Sequence, residues 1–115
     1  MAKRKSDVQS SFRFEEATID GIHEAMQAGQ VTARGLVEGY LRRIEAYDQK
    51  GPEINAIVTV NPNALARADE LDQAFAKSGE FVGPLHGIPV VLKDNIETND
   101  VTTTYGSIAF DGYQP

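Results

Sequence analysis

The chain has 115 residues, 17 acidic against 11 basic, and a net charge of −6. That length bounds it to at most one ordinary domain, long enough to bury a core, and the acidic balance argues against direct contact with nucleic acid, which calls for a basic face. It has no cysteine, which excludes disulfides, thiolate metal sites and cysteine nucleophiles.

The basic opening, MAKRK, runs into polar residues rather than an apolar stretch. It therefore reads as neither a signal peptide nor a membrane anchor, and residues 1–14 are expected to form a polar tail. No run approaches the roughly 20 apolar residues that a membrane-spanning helix needs. A cytoplasmic location, away from membranes, is the expectation.

Thr18 then stands as a helix N-cap, with Ile19, Ile22 and Met26 along one face and Gly29 as the stop. Thr32 caps a second helix, in which Leu36, Val37, Tyr40, Leu41 and Ile44 form an apolar stripe. Glu38 and Arg42 fall at i and i+4 on the wet side, in the favourable order for an ion pair. Gly51 and Pro52 break the pattern. The short β-branched segment INAIVTV, residues 54–60, predicts a strand. Asn61 and Pro62 follow as N-cap and first helical position, and Ala64, Ala68, Leu71 and Phe75 share one face of a third helix that ends near Gly79.

After Gly83 and Pro84 comes IPVVL, residues 88–92, a continuous apolar run of the kind found in a strand buried on both faces, with Pro89 near its start. Helix, helix, strand, helix, strand predicts an α/β fold with a mixed or parallel sheet. Two strands do not make a sheet, however, and DGYQP at the end supplies no closing element. The expectation is the front portion of a larger domain covering residues 15–115, with no internal repeat and no linker to a second domain.

Lys93 directly follows IPVVL. Sites in α/β folds form just beyond the carboxyl ends of strands. Burial there disfavours the charged form of a lysine, and a neutral amine can serve as a general base. The competing reading is that Lys93 snorkels out of the sheet end and pairs with Asp94 or Asp100. Spacing alone favours this second reading.

The stretch GPLHGIPVVLKDNI, followed by TTTYGS, closely resembles the opening motif of the amidase signature family. The matching residues are Gly83, Pro84, Leu85, Gly87, Ile88, Pro89, Lys93, Asp94 and Asn95, then Thr103, Thr104, Gly106 and Ser107. The upstream segments VEGYLRRIEAYD and INAIVTVNPNALARADELD are similar as well, so the resemblance covers about residues 14–112. It implies the N-terminal helices and first strands of the amidase signature fold, a mixed sheet covered by helices. It also implies hydrolysis of, or transfer from, carboxamides by a Ser-cisSer-Lys triad. In that triad one serine attacks the carbonyl, a second relays its proton, and a lysine is the ultimate base. Lys93 matches the lysine. A small-molecule amide substrate is implied, with no metal or organic cofactor, and there is room for a homodimer in the full-length enzyme.

The family's two serines lie in a glycine-rich region well downstream of the lysine. This chain has Ser6, Ser10, Ser11, Ser78 and Ser107 and no GSS-type segment, and Ser107 matches neither triad serine. The expectation is an amidase domain cut before its serine-rich region, inactive by itself. The remaining candidates weigh less. His86 reads as a loop residue with a satisfied ring nitrogen, and His23 as an exposed helix residue. Glu15/Glu16 and Asp69/Glu70 read as helix-start and solvated-face carboxylates. Thr103 and Thr104 either orient the loop near the lysine or substrate or merely build a turn. Tyr105, where the family often has alanine, either narrows a pocket or packs. The glycines of GPLHG lack the spacing of a phosphate loop.

Three functional readings follow: the N-terminal portion of an amide hydrolase, the amidase-like subunit of a glutamine-dependent tRNA amidotransferase, or a non-catalytic interaction piece. The second ranks lower because the segment after KDN in that subunit tends to differ from TTYGS.

Overall fold

The structure is a computed structural model that describes residues 12–115; most of the expected tail, residues 1–11, lies outside the described residues. Among the described residues, three helices and two short turns make up the regular structure: α1 (Ile19–Gln27), α2 (Ala33–Arg43), a π-helical turn (Ile44–Gln49), α3 (Ala64–Ser78) and a 3-10 turn (Ile108–Phe110).

Local sequence explains the helix ends. The Thr18 hydroxyl accepts the Gly21 N–H at 3.0 Å and opens α1. Thr32 does the same for α2 through Gly35 N–H, also at 3.0 Å. Two more orphan donors at the start of α2 are satisfied from outside: Ala33 N–H and Arg34 N–H donate to the Asp72 carboxylate on α3, at 2.7 and 3.0 Å. This caps α2 and fixes α3 against it in one contact. Gly79 closes α3 in the left-handed conformation, φ 73°, where a Cβ is costly.

The third helix begins later than its sequence predicts. Asn61 Oδ1 accepts Asn63 N–H at 2.9 Å, a local turn that holds residues 61–63 outside the helix and moves its start from Pro62 to Ala64. The expected Glu38–Arg42 pair does not form. Glu38 pairs with Arg34 at 3.1 Å, and Arg34 also reaches Asp69 of α3 at 2.6 Å, so the contact between helices wins over the pair along one helix.

The core is small. Ile22 and Met26 of α1, Ala33 and Leu36 of α2, and Ala68 of α3 are its buried members, with Leu71, Phe81 and Ile88 packed against them. Phe12 and Phe14, from the stretch expected to be tail, pack here too. The Phe14 ring lies against Gly39, a place on α2 with no side chain in its way, and the Tyr40 hydroxyl donates to the Phe14 carbonyl at 2.7 Å.

The expected mixed sheet is not present: no strand forms among the described residues. A strand is defined by its partner, and segments 54–60 and 88–92 do not pair with each other. The donors that a ladder would use at the start of the first segment go elsewhere. Asn55 N–H bonds the Asp48 carbonyl, while Ala56 and Ile57 N–H bond the Asp48 carboxylate at 2.6 and 3.1 Å. The second segment, expected to be buried on both faces, is open. Val90, Val91 and Leu92 are exposed, Val91 by 76%.

Candidate functional site

The approach to Lys93 begins in the loop 83–87. His86 is buried, with only 3% of its surface exposed. Its Nδ1 accepts the Val82 N–H at 3.1 Å, which requires the ring to be unprotonated at that nitrogen. Its carbonyl sits 2.9 Å from His23 Nε2, and since a carbonyl only accepts, His23 donates there. His23 is therefore half-buried, not exposed, and lies over Phe81 with centroids 4.3 Å apart. Phe81 in turn stacks on Phe75 of α3 at 5.0 Å. Burial pushes the His86 pKa down, the neighbouring His23 adds to this, and Asp72 opposes it. His86 is thus the satisfied loop residue its sequence context predicts.

Gly87 has φ 71°, and a Cβ there would lie 2.8 Å from Met26 Cε and 3.1 Å from Ala33 Cβ. Only glycine lets this backbone lie flat on α1 and α2. The loop is thereby moored to the helical core, and the chain leaves it as IPVVL toward Lys93.

Lys93 is exposed, and no ion pair to it forms among the described residues. Neither carboxylate considered as its partner forms an ion pair with it. Asp100 accepts from the Asn61 amide at 3.1 Å. Asp94 accepts from Thr104 twice, from the backbone N–H at 2.8 Å and from the hydroxyl. The Asp94 carbonyl also accepts Tyr105 N–H at 2.9 Å, and the Lys93 carbonyl accepts Ile96 N–H at 3.0 Å. The turn that carries Lys93 is thus fastened to a second turn ten residues away. The bonds from Thr104, side chain first, hold the Asp94 pKa below its ordinary value.

That second turn is unusual. Ser107 N–H donates to the Thr104 carbonyl at 2.9 Å, and the two central residues, Tyr105 and Gly106, have φ 54° and 71°. Both are in the left-handed region, as in a type I′ turn. Glycine adopts this freely; tyrosine does not. Tyr105 is held by its hydroxyl, which donates to the Glu97 carboxylate, and by an edge-on contact with Phe110 at 5.4 Å. The hydrogen bond to Glu97 leads the causes that raise the Tyr105 pKa to about 12.

The structure therefore brings Lys93, Thr103 and Thr104 into one unit of two joined turns. Thr103 is almost fully buried, donating its N–H to the Tyr113 carbonyl at 3.0 Å and its hydroxyl to the Ile96 carbonyl at 3.4 Å. The Thr104 hydroxyl, besides binding Asp94, accepts Gly106 N–H at 3.1 Å. Ser107 caps the 3-10 turn through Ala109 N–H at 3.2 Å. Asp94 is the residue that sequence reasoning missed as the joint. Its signal was present as the aspartate of KDN and the threonines of TTTYG, but nothing periodic links positions 94 and 104. No cluster of three or more potential metal ligands occurs among the described residues, and no helix there is long and apolar enough to cross a membrane.

Comparison with known proteins places this geometry. The family profile described as Amidase matches residues 35–115. A Schizosaccharomyces pombe protein named as an amidase is 44% identical over 99 residues, covering 85% of this chain and 16% of that protein. A glutamyl-tRNA(Gln) amidotransferase subunit from Synechococcus is 38% identical over 101 residues, covering 87% of this chain and 20% of that protein. Among solved structures, a peptide amidase bound to the competitive inhibitor chymostatin superposes with a TM-score of 0.83 at 39% identity, over 90% of this chain and 21% of that one. An amidase family protein from Bacillus anthracis gives a TM-score of 0.81 at 29% identity, over 99% and 22% respectively. The chain thus spans about a fifth or less of the length of these relatives.

Proposed function

The chain belongs to the amidase family, and from that premise we propose that its residues supply the catalytic base, Lys93, of an enzyme that hydrolyses carboxamide C–N bonds. The observation that carries this reading is the joined pair of turns. Lys93 stands at the end of IPVVL, and the residue after it is fastened to the TTTYGS turn by Asp94 and Thr104. The two halves of the motif are thus one object in space.

In this reading the Lys93 amine accepts the proton that a relay serine takes from the attacking serine. The nucleophile adds to the amide carbonyl, the C–N bond breaks, and the proton returns through the same relay to the departing nitrogen. Water then hydrolyses the acyl-enzyme, with the amine as base again. Thr103 and Thr104 act on the substrate through the turn they hold. Both serines and the oxyanion hole lie outside residues 1–115, so these residues alone hydrolyse no amide. In the complete enzyme, segments 54–60 and 88–92 acquire ladder partners and form part of a mixed sheet. The open apolar side chains Ile54, Val58, Val90 and Val91 support this.

A second reading, a subunit that releases ammonia for a tRNA-dependent amidotransferase, is favoured by the relatives that carry that name. The two separate by experiment. The natural protein is purified from its source cells and assayed for ammonia release from propionamide, benzamide, an amino-acid amide and L-glutamine. The first reading predicts release from simple carboxamides by a protein that purifies without partners. Release from glutamine alone, with partner subunits co-purifying, supports the second. Turnover by the isolated 115-residue chain that is abolished in Lys93→Ala would overturn the claim that the serines lie elsewhere.

A further inference from the structure

We propose that Asp94 is the positioning residue for Lys93: its carboxylate clamps the turn that presents the lysine onto the 104–107 turn, and so fixes the point from which the amine reaches its proton. This inference rests on Lys93 being the base.

Three features carry it. The first is adjacency. Asp94 follows Lys93 directly, so whatever fixes the Asp94 backbone fixes the Cα from which the flexible lysine side chain starts. The second is convergence. Thr104 N–H and the Thr104 hydroxyl both end on the Asp94 carboxylate, and Tyr105 N–H ends on its carbonyl. Two outer ties flank these: the Tyr105 hydroxyl on Glu97 and the Thr103 hydroxyl on the Ile96 carbonyl. The third is strain. Tyr105 is held at φ 54° where glycine would sit without cost. A left-handed tyrosine persists only where its surroundings over-determine it, and here those surroundings are the Glu97 carboxylate, the Phe110 ring and the Asp94 carbonyl that accepts the Tyr105 N–H. A turn needed only to connect two segments requires none of this. Held together, the bonds define a single orientation for the lysine turn.

The carboxylate accepts both Thr104 bonds and forms no ion pair with the lysine, so the role proposed for it is geometric and not that of a second base. Loss of the clamp is therefore expected to lower the rate of the chemical step far more than it weakens substrate binding, because misplacing a catalytic group by about 1 Å costs roughly 100-fold.

The test uses the natural protein, with ammonia release from the best carboxamide of the panel above. Lys93→Ala serves as the reference for a lost base, and Asp100→Asn as a control carboxylate in the same segment but bonded to Asn61. Asp94→Ala is expected to lower kcat about 100-fold with KM within about threefold. Thr104→Val, which keeps the side-chain shape and removes the hydroxyl, is expected to lower kcat about tenfold, and Thr104→Ser to restore most of it. Hydrogen exchange of peptides spanning 101–107 is expected to speed up in Asp94→Ala and Thr104→Val and not in Asp100→Asn. If Lys93→Ala is inactive while Asp94→Ala and Thr104→Val keep the wild-type kcat, the positioning role is overturned and the base reading stands. Should Asp94→Ala fail to fold, a wild-type kcat in Thr104→Val overturns the proposal by itself. A wild-type kcat in Lys93→Ala overturns both.

Discussion

His23 Nε2 and the His86 carbonyl meet at 2.9 Å across 63 positions of sequence. That bond moors the loop leading to Lys93 onto the first helix. On the same residue, the ring Nδ1 accepts the Val82 N–H. Because the folded-state pKa of His86 is lowered from 6.5, the unfolded chain binds a proton that the folded chain does not as pH falls. The contribution to stability is fully present above about pH 6.5 and is lost as pH falls from there toward the folded-state pKa. Urea unfolding followed from pH 8 to pH 5 checks this. In His86→Gln the part of the slope due to this group disappears.

Asp72 has a double duty, capping α2 while standing on α3. Asp72→Ala leaves two donors at the α2 N-terminus without their partner and is expected to cost about 1–2 kcal/mol. Asp72→Asn, which keeps one acceptor, should cost less. Thermal melts of the two variants give the order directly.

Gly87→Ala puts a methyl group against Met26 and Ala33 at a positive φ. Overpacking of this kind costs about 1–3 kcal/mol, to which the backbone conformation adds. Because the loop is the mooring for the lysine segment, the variant should also lower kcat in the natural protein. Gly79→Ala, equally left-handed but with open space around it, should cost about 1 kcal/mol and leave kcat unchanged.

Val91 tests the proposal that segment 88–92 becomes a strand in a longer enzyme. Its side chain is exposed here, so Val91→Lys should leave the stability of the 115-residue chain within about 0.5 kcal/mol. If the segment becomes an interior strand of the natural protein, the same change there buries an unpaired charge and should prevent folding. Melting both proteins side by side decides it.

What the sequence made legible was local. Thr18 and Thr32 cap where their spacing predicts, and Gly29 and Gly79 stop where a left-handed residue is needed, because these features depend on a few adjacent residues. The motif GPLHGIPVVLKDN and the TTTYGS segment carried the family resemblance, and the matching profile covers residues 35–115. Features that depend on distant partners were not legible. Glu38 chose Arg34 because Asp69 on the facing helix draws that arginine into place. Phe12 and Phe14 sit in a stretch that reads as tail, but a flat glycine surface on α2 receives Phe14. The strand pattern of INAIVTV and IPVVL describes side chains suited to a sheet, while strand formation requires neighbouring backbone that these residues do not supply. Asp94 and Thr104 meet only through a turn whose conformation no short-range rule forces.

The most direct test of Lys93 as the base is chemical rescue of Lys93→Ala in the natural protein. Ammonia release from a carboxamide is measured with and without added methylamine or ethylamine. If Lys93 is the base, kcat falls by at least about 10²-fold, the contribution typical of a general base, and the rate climbs with the concentration of unprotonated amine. Wild-type turnover in Lys93→Ala without any added amine would contradict it.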